Sequence, residues 1–268
     1  MTHETDNQLF QNYLRNVKRE KRFISVWQII LLIALFGFWE LASQMRWIDP
    51  LIFSSPSEVF TVLVEKFADG SMFTHLKITL FETVLGFLIG TISGIMMAAI
   101  LWSSERFSNI MDPYLVVMNA MPKVALGPIL IVAIGPGYTA IIMMGAIISV
   151  VITTLVVYSA FKEVDPNYIK VLTSFKATRG QIFREAVFPA AIPTMVSALK
   201  VNVGLAWVGV VVGEFLVSSE GLGYLIVYGF QVFNFSLVMA SLLLISVAAA
   251  IMYKIIERIE VVLMKHTH

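Results

Sequence analysis

The chain has 268 residues, 58% of them hydrophobic and 14% charged, with a mean hydropathy of +0.82. Soluble domains hold about 45–50% apolar and about 25% charged residues, so this composition excludes an ordinary soluble protein and points to a membrane. A formal net charge of +1 makes no case for a nucleic-acid partner, and the absence of cysteine excludes disulfides and thiolate chemistry.

Residues 1–24 are polar and end in the basic run RNVKREKR (15–22). A secretory leader has an apolar core of only about 7–15 residues. Ser25 to Met45 is longer, which predicts an uncleaved first span with the N-terminus in the cytoplasm. Long apolar runs with little alternation predict helices rather than a transmembrane barrel. A helical span needs about 20 residues. Hydropathy predicts six, near 25–45, 78–102, 114–134, 139–160, 193–216 and 236–258.

After the first span, SSPSEVFTVLVEKF (54–67) predicts an interfacial helix. Ser55 or Ser57 would cap it, with Pro56 in its first turn. Val59, Phe60, Leu63, Val64 and Phe67 share one face, suited to packing on the bundle or to contact with an external partner. Gly86, Gly90 and Gly94 form a small-residue stripe on the second span, which predicts close helix packing. In the third span, MPKVALGP (121–128) places Pro122 and Pro128 around Lys123, and these prolines are predicted to interrupt the helix and free backbone groups that could line a cavity. GPGYT (135–139) predicts a tight turn joining spans three and four as an antiparallel hairpin.

The segment 161–192 predicts two amphipathic helices. Asp165-Pro166 is an N-cap followed by proline at the first helical position, and Tyr168, Val171, Leu172 and Phe175 then recur at helical spacing. Thr178-Arg179-Gly180-Gln181 has capping-box spacing. Ile182, Phe183, Ala186 and Val187 would line the second apolar face, with Arg184 and Glu185 outward. Pro189 is predicted to stop that helix at Phe188, and Pro193 to open the fifth span. Two readings remain open on these grounds: a hairpin lying on lipid headgroups, or a lever on which a partner docks.

Lys and Arg set the orientation. Arg15, Lys18, Arg19, Lys21, Arg22, Arg106, Lys162, Lys170, Lys176, Arg179, Arg184, Arg258 and Lys265 fall on one side. Arg46, Lys66 and Lys77 fall on the other, offset by Glu58, Glu65 and Asp69. Both termini are therefore predicted to be cytoplasmic. The predicted organisation is a cytoplasmic segment over 1–24, a six-span domain over 25–260 with a cytoplasmic loop at 161–192, and a tail over 261–268.

AVFPAAIPTMVSALKVNVGLAWVGVVVGEFLVSSEGLGYLI (186–226) resembles the signature stretch of binding-protein-dependent ABC importer permeases. Within them it is most similar to the nitrate/sulfonate/taurine branch. SSPSEVF, GFLIGTISGIMMA and MDPYLVVMNAMPKVALGPILIVAIG agree, so the resemblance covers roughly residues 25–260. It implies an all-α fold of the type I importer permease kind, with coupling helices in the 161–192 loop. A separate ABC ATPase subunit, an extracytoplasmic solute-binding protein and a second copy of the chain are the implied partners. The branch handles nitrate, aliphatic sulfonates, taurine, bicarbonate and thiamine-precursor-like pyrimidines. The loop departs from the family pattern: Lys170-Val171-Leu172 stand where Glu-Ala-Ala is usual, and Lys176 stands where Gly is usual. Ala177, Arg179, Arg184 and Glu185 are the implied ATPase contacts, with Lys170 and Lys176 as altered ones.

No G-x-x-x-x-G-K-[ST] loop occurs, so the chain has no sequence basis for binding ATP itself. No His/Asp/Glu grouping has metal-ligand spacing, and the histidines at 3, 75, 266 and 268 are terminal or in a loop. No positioned base accompanies a serine within a span. A non-catalytic chain without cofactor or metal is expected. Ionisable residues in spans mark candidate pathway groups. Lys123 would face a cavity or snorkel to the interface, and Lys200 and Asn202 lie two turns past Pro193. Glu82 and Glu214, toward the external span ends, would line a vestibule or pair with neighbours. A self-sufficient secondary transporter or channel is the competing class, but matched broken helices in the two halves are not evident. A membrane scaffold is a further alternative.

Overall fold

A computed structural model describes the backbone of residues 2–265 and the side chains of 13–262; among them every regular element is helical. His266, His268 and the end of the predicted 261–268 tail lie outside the described residues, as does the side chain of His3. The chain divides after Val62 into two units.

In the first unit, α1 (Thr2–Gln44) is one unbroken helix. The predicted boundary at residue 24 is a change of polarity and not of backbone, since nothing before Gly37 interrupts helical geometry. Tyr13–Gln44 is long and apolar enough to cross a bilayer, and Ile29, Leu31 and Ile33 are exposed, as lipid-facing side chains would be. At its end the Glu40 carboxylate accepts from Ser57 N–H at 3.0 Å and from the Ser57 hydroxyl at 2.9 Å. Asp49 caps the short helix α2 (Pro50–Phe53) by accepting from Leu51 N–H. The helix α3 (Pro56–Ala68) follows, with the Ser55 hydroxyl accepting from Glu58 N–H. On its predicted apolar face Val59 is buried and Leu63 half-buried, while Phe60, Val64 and Phe67 are exposed.

In the second unit, Asp69 closes the turn before α4 (Ser71–Ser103) by accepting from the Ser71 hydroxyl and N–H, bonds that hold its carboxyl below the ordinary range. Then come α5 (Glu105–Ala120), a 3-10 turn at Lys123–Leu126, α6 (Gly127–Ile134) and α7 (Tyr138–Lys162). The remaining helices are α8 (Pro166–Ser174), α9 (Arg179–Ile182), α10 (Phe188–Val217), α11 (Leu222–Gln231) and α12 (Phe235–Lys265).

The core of this unit is α7 packed between α4 and α10, with α11 and α12 against α10. A Cβ at Gly90 would lie 2.6 Å from Ser149 Cβ, and one at Gly209 would lie 2.6 Å from Gly145 Cα. The glycine stripe on α4 is therefore where α7 crosses at backbone contact.

The expected interruption of the third span is a sharp bend: α5 and α6 meet at 95°. Pro122 has no N–H to donate and pushes Met121 into extended geometry, φ −65° and ψ 140°, so the helix ends there. Five helices are long and apolar enough to cross, or six crossings if the bent pair counts as one.

One expectation is corrected: Pro189 does not end a helix. Arg179 to Val217 runs on for 39 residues, through a π-helical turn at Phe183–Val187. There Phe188 N–H bonds to Phe183 O, five residues back, which shifts the register by one. Pro189 then falls in the first turn of α10, where a missing N–H costs little, and Pro193 sits inside α10 rather than at its start.

Candidate functional site

Three polar or loop-borne features stand out in the second unit: the 163–192 hairpin at one end, a polar layer in the middle, and the 218–223 turn at the other end.

The hairpin begins where the Asp165 carboxylate accepts from Asn167 N–H at 2.8 Å. Its second helix starts in a complete capping box: Thr178 Oγ1 accepts from Gln181 N–H, and Gln181 Oε1 accepts from Thr178 N–H at 2.8 Å. The buried face of α8 differs from the predicted one. Ile169 and Leu172 turn into a core formed by Val164, Ile182, Val187 and Phe161, while Tyr168, Val171 and Phe175 are 62%, 55% and 81% exposed. Leu172 alone of the predicted four packs inward, because the axis of α8 is set by Val164 and Ala177 at its two ends.

The hairpin turns at Lys176, whose φ of 58° is left-handed. Lys176 N–H bonds to Thr173 O at 2.8 Å and Ala177 N–H to Leu172 O at 3.0 Å, which closes the end of α8 in the manner of a glycine-terminated helix. Of the six predicted docking residues, Lys170, Lys176, Arg179, Arg184 and Glu185 are exposed. Arg184 and Glu185 pair with each other at 3.6 Å. Ala177 is half-buried against the core. The head group of Arg179 turns back onto Trp102 of α4.

Of the predicted pathway residues, Glu82 and Glu214 come together and Lys123, Lys200 and Asn202 lie apart from them, each with its own partners. Lys123 donates to Asn119 O at 2.9 Å and so satisfies an orphan carbonyl of the last turn of α5. Lys200 pairs with Glu260 of α12 at 2.5 Å, and Glu260 also accepts from the Ser197 hydroxyl at 3.0 Å. Asn202 is fully buried in the polar middle layer, donating to Thr91 Oγ1 at 3.1 Å and to Thr153 Oγ1 at 2.5 Å, which ties α10 to α4 and α7.

Glu82 and Glu214 lie side by side and fully buried near the third feature. Three of the first N–H groups of α11, left without intrahelical partners, are taken by side chains from other helices. Gly221 N–H bonds to His75 Nδ1 at 2.9 Å, Leu222 N–H to Thr79 Oγ1 at 2.8 Å, and Gly223 N–H to Glu214 Oε2 at 2.5 Å. The Thr79 hydroxyl donates in turn to Glu214 Oε1 at 2.6 Å. The Glu82 carboxyl has only the Glu214 carboxyl as a polar partner among the described residues. Tyr138 donates to Glu220, which ties the start of α7 to the same turn.

The sequence reading missed His75, Thr79, Trp102 and Glu260. A signal existed for Thr79: it precedes Glu82, Thr83, Gly86 and Gly90 at helical spacing, a polar and small stripe running along α4. Among the described residues no three His, Cys, Asp or Glu gather as a metal site.

An all-α polytopic membrane domain carrying a rigid hairpin at one end is the class this fold defines. Residues 90–265 match the family of binding-protein-dependent transport system inner membrane components, and the chain belongs to that family. Among its relatives is a probable ABC transporter permease protein of Haemophilus influenzae, 29% identical over 85% of this chain and 92% of that one. A putative aliphatic sulfonates transport permease of Bacillus subtilis is 25% identical over 94% of this chain and 91% of its own. A formylaminopyrimidine transport permease of Halalkalibacterium halodurans is 25% identical over 88% and 93%. A solved bacterial ABC transporter involved in alginate import shares the fold, with a TM-score of 0.64 at 14% identity over 93% of this chain and 98% of that one. The chain is thus the membrane permease of a binding-protein-dependent importer, with the all-α fold of that class.

Proposed function

We propose that the 163–192 hairpin docks a separate ATPase subunit on the cytoplasmic side and that an external solute-binding protein delivers substrate to the opposite face. Two copies of the chain form the pathway, both termini face the cytoplasm, and ATP hydrolysis belongs to the partner. Lys170, Lys176, Arg179, Arg184 and Glu185 are the contacts proposed on the exposed side, with Ala177 supporting them from within. Lys123, Lys200, Asn202, Glu82 and Glu214 are proposed to act by shaping the spans beside the pathway.

The observation that carries this reading is the form of the hairpin. Tyr168, Val171 and Phe175 offer an exposed apolar surface next to Lys170. The second arm is continuous with the span helix through to Val217. A load on that surface reaches the membrane through backbone. The solute is proposed to be small and polar, of the sulfonate or formylaminopyrimidine type that the relatives' names carry.

The test is co-purification of the ATPase subunit with the tagged full chain from detergent-solubilised membranes of its own host. Arg184→Glu with Glu185→Lys, and separately Phe175→Ala, are expected to release the ATPase while leaving the chain in the membrane fraction. Undiminished co-purification in both variants removes the hairpin from the docking role.

A further inference from the structure

The hairpin is joined by backbone to two span helices, α7 through residues 163–165 and α10 through the π turn. Its attachment to α4 is through side chains. Arg179 Nη2 donates to Trp102 O at 3.1 Å, and the guanidinium lies over the Trp102 ring, 5.4 Å from its centre. Trp102 is the penultimate residue of α4, so the carbonyl it presents is one of the last four, which have no intrahelical donor. A cation there also meets the negative end of the helix dipole.

Phe183, four residues after Arg179 and so on the same face, sets its ring against the same indole at 5.1 Å and against Phe161 of α7 at 5.2 Å. One ring stack thus connects three elements. Packing does not complete the joint, because a cleft of about 400 Å³ remains between Ala99, Ile100 and Ser103 of α4 and Gly180 of α9. Arg179 spans it. The remaining N–H groups of Arg179 have no partner among the described residues, so its one protein bond is the one to α4.

We infer that Arg179 is a positioning residue that clamps the hairpin to α4, so that a displacement of the hairpin is carried into the second span as well as along α10. The planar guanidinium is what the joint uses: it stacks on the indole while its edge donates to the carbonyl, which an ammonium cannot do at once. Helix α4 is the element whose glycine stripe holds α7 and whose Thr79 holds the turn at the far end. Clamping it turns a local push into a movement of the core. The inference rests on the hairpin being the ATPase-docking element.

The chain contains no cysteine, so introduced cysteines label uniquely. Spin labels at Ser103→Cys with Gly180→Cys report the clamp. Ser103→Cys with Lys254→Cys reports movement of α4 against α12, and Gly180→Cys with Lys254→Cys reports movement of the hairpin. Distances are measured by pulsed electron resonance on the full chain in nanodiscs, with the co-purifying ATPase, before and after trapping with ATP and vanadate. With Arg179 present, the 103–180 distribution is expected to be narrow in both states and the other two distances to shift together. Arg179→Ala and Arg179→Lys are expected at least to double the 103–180 width and to abolish the 103–254 shift while the 180–254 shift persists. A 103–254 shift that survives in Arg179→Ala overturns the inference, and so does a 103–180 width that does not change. If no ATPase accompanies the unsubstituted chain, the docking proposal fails, and the 103–180 width without nucleotide still decides whether Arg179 clamps.

Discussion

Gly223 gives its backbone N–H to the Glu214 carboxylate nine residues earlier, in space that a Cβ at 223 would have to share with Oε2 at 2.7 Å. Gly221 faces the same carboxylate and has a φ of 102° as well. The Gly-Leu-Gly spacing of this turn is therefore the imprint of one buried side chain on the backbone that folds over it. Gly223→Ala is expected to cost about 1–3 kcal/mol by overpacking, and Gly221→Ala more, because left-handed strain adds to the clash. Thermal unfolding of the purified chain in detergent should rank them in that order, with both below the unsubstituted protein.

The two buried carboxyl groups are not equivalent. Glu214 accepts from Gly223 N–H and the Thr79 hydroxyl, whereas Glu82 meets only the Glu214 carboxyl. Glu214→Ala strands the Gly223 N–H, a loss of about 1–3 kcal/mol, while the Thr79 hydroxyl keeps His75 O at 3.2 Å as an acceptor. Glu82→Gln adds an N–H donor beside an acceptor and is expected to leave the melting temperature unchanged or higher. A melting temperature for Glu82→Gln as low as that of Glu214→Ala would contradict this division.

Lys200 and Glu260 join α10 to α12 near the hairpin end. Lys200→Glu and Glu260→Lys are each expected to lower the melting temperature, and the swapped pair to recover most of it. Absence of recovery would mean that each side chain acts through Ser197 or its own packing rather than through the pair.

Lys176 holds a left-handed backbone without being glycine, at a cost of about 1 kcal/mol. Lys176→Gly is expected to slow hydrogen exchange at Ala177 and Lys176, whose N–H groups close α8. Faster exchange there would show that the lysine side chain itself holds the turn.

The fold was legible where one physical quantity dominates. Runs of about 20 apolar residues announce spans, and Asp165-Pro166 and Thr178-x-x-Gln181 announce helix starts through short-range hydrogen bonds. It was illegible where backbone register decides. In 114–134 the prolines announce an interruption, but its 95° angle depends on the packing of α5 and α6 and not on hydropathy. At Pro189 the usual stop rule assumes an α register, and the π turn at Phe183–Val187 removes that assumption. The far-end turn was read as a turn because its partners, His75 and Thr79, are 143 or more residues away in sequence. Lys200 likewise looked unpaired because Glu260 stands on the last helix.

The π turn also bears on how such a hairpin can be tuned. A π turn takes up its extra residue by widening, so the five residues of Phe183–Val187 rotate the chain about as far as one residue fewer would in an α ladder. Removing one residue there would restore an α ladder while α8 and α9 keep nearly their heading relative to α10. The turn is thus the place where the hairpin arm can change length by a residue with neither the hairpin's bearing nor the packing of the membrane core disturbed.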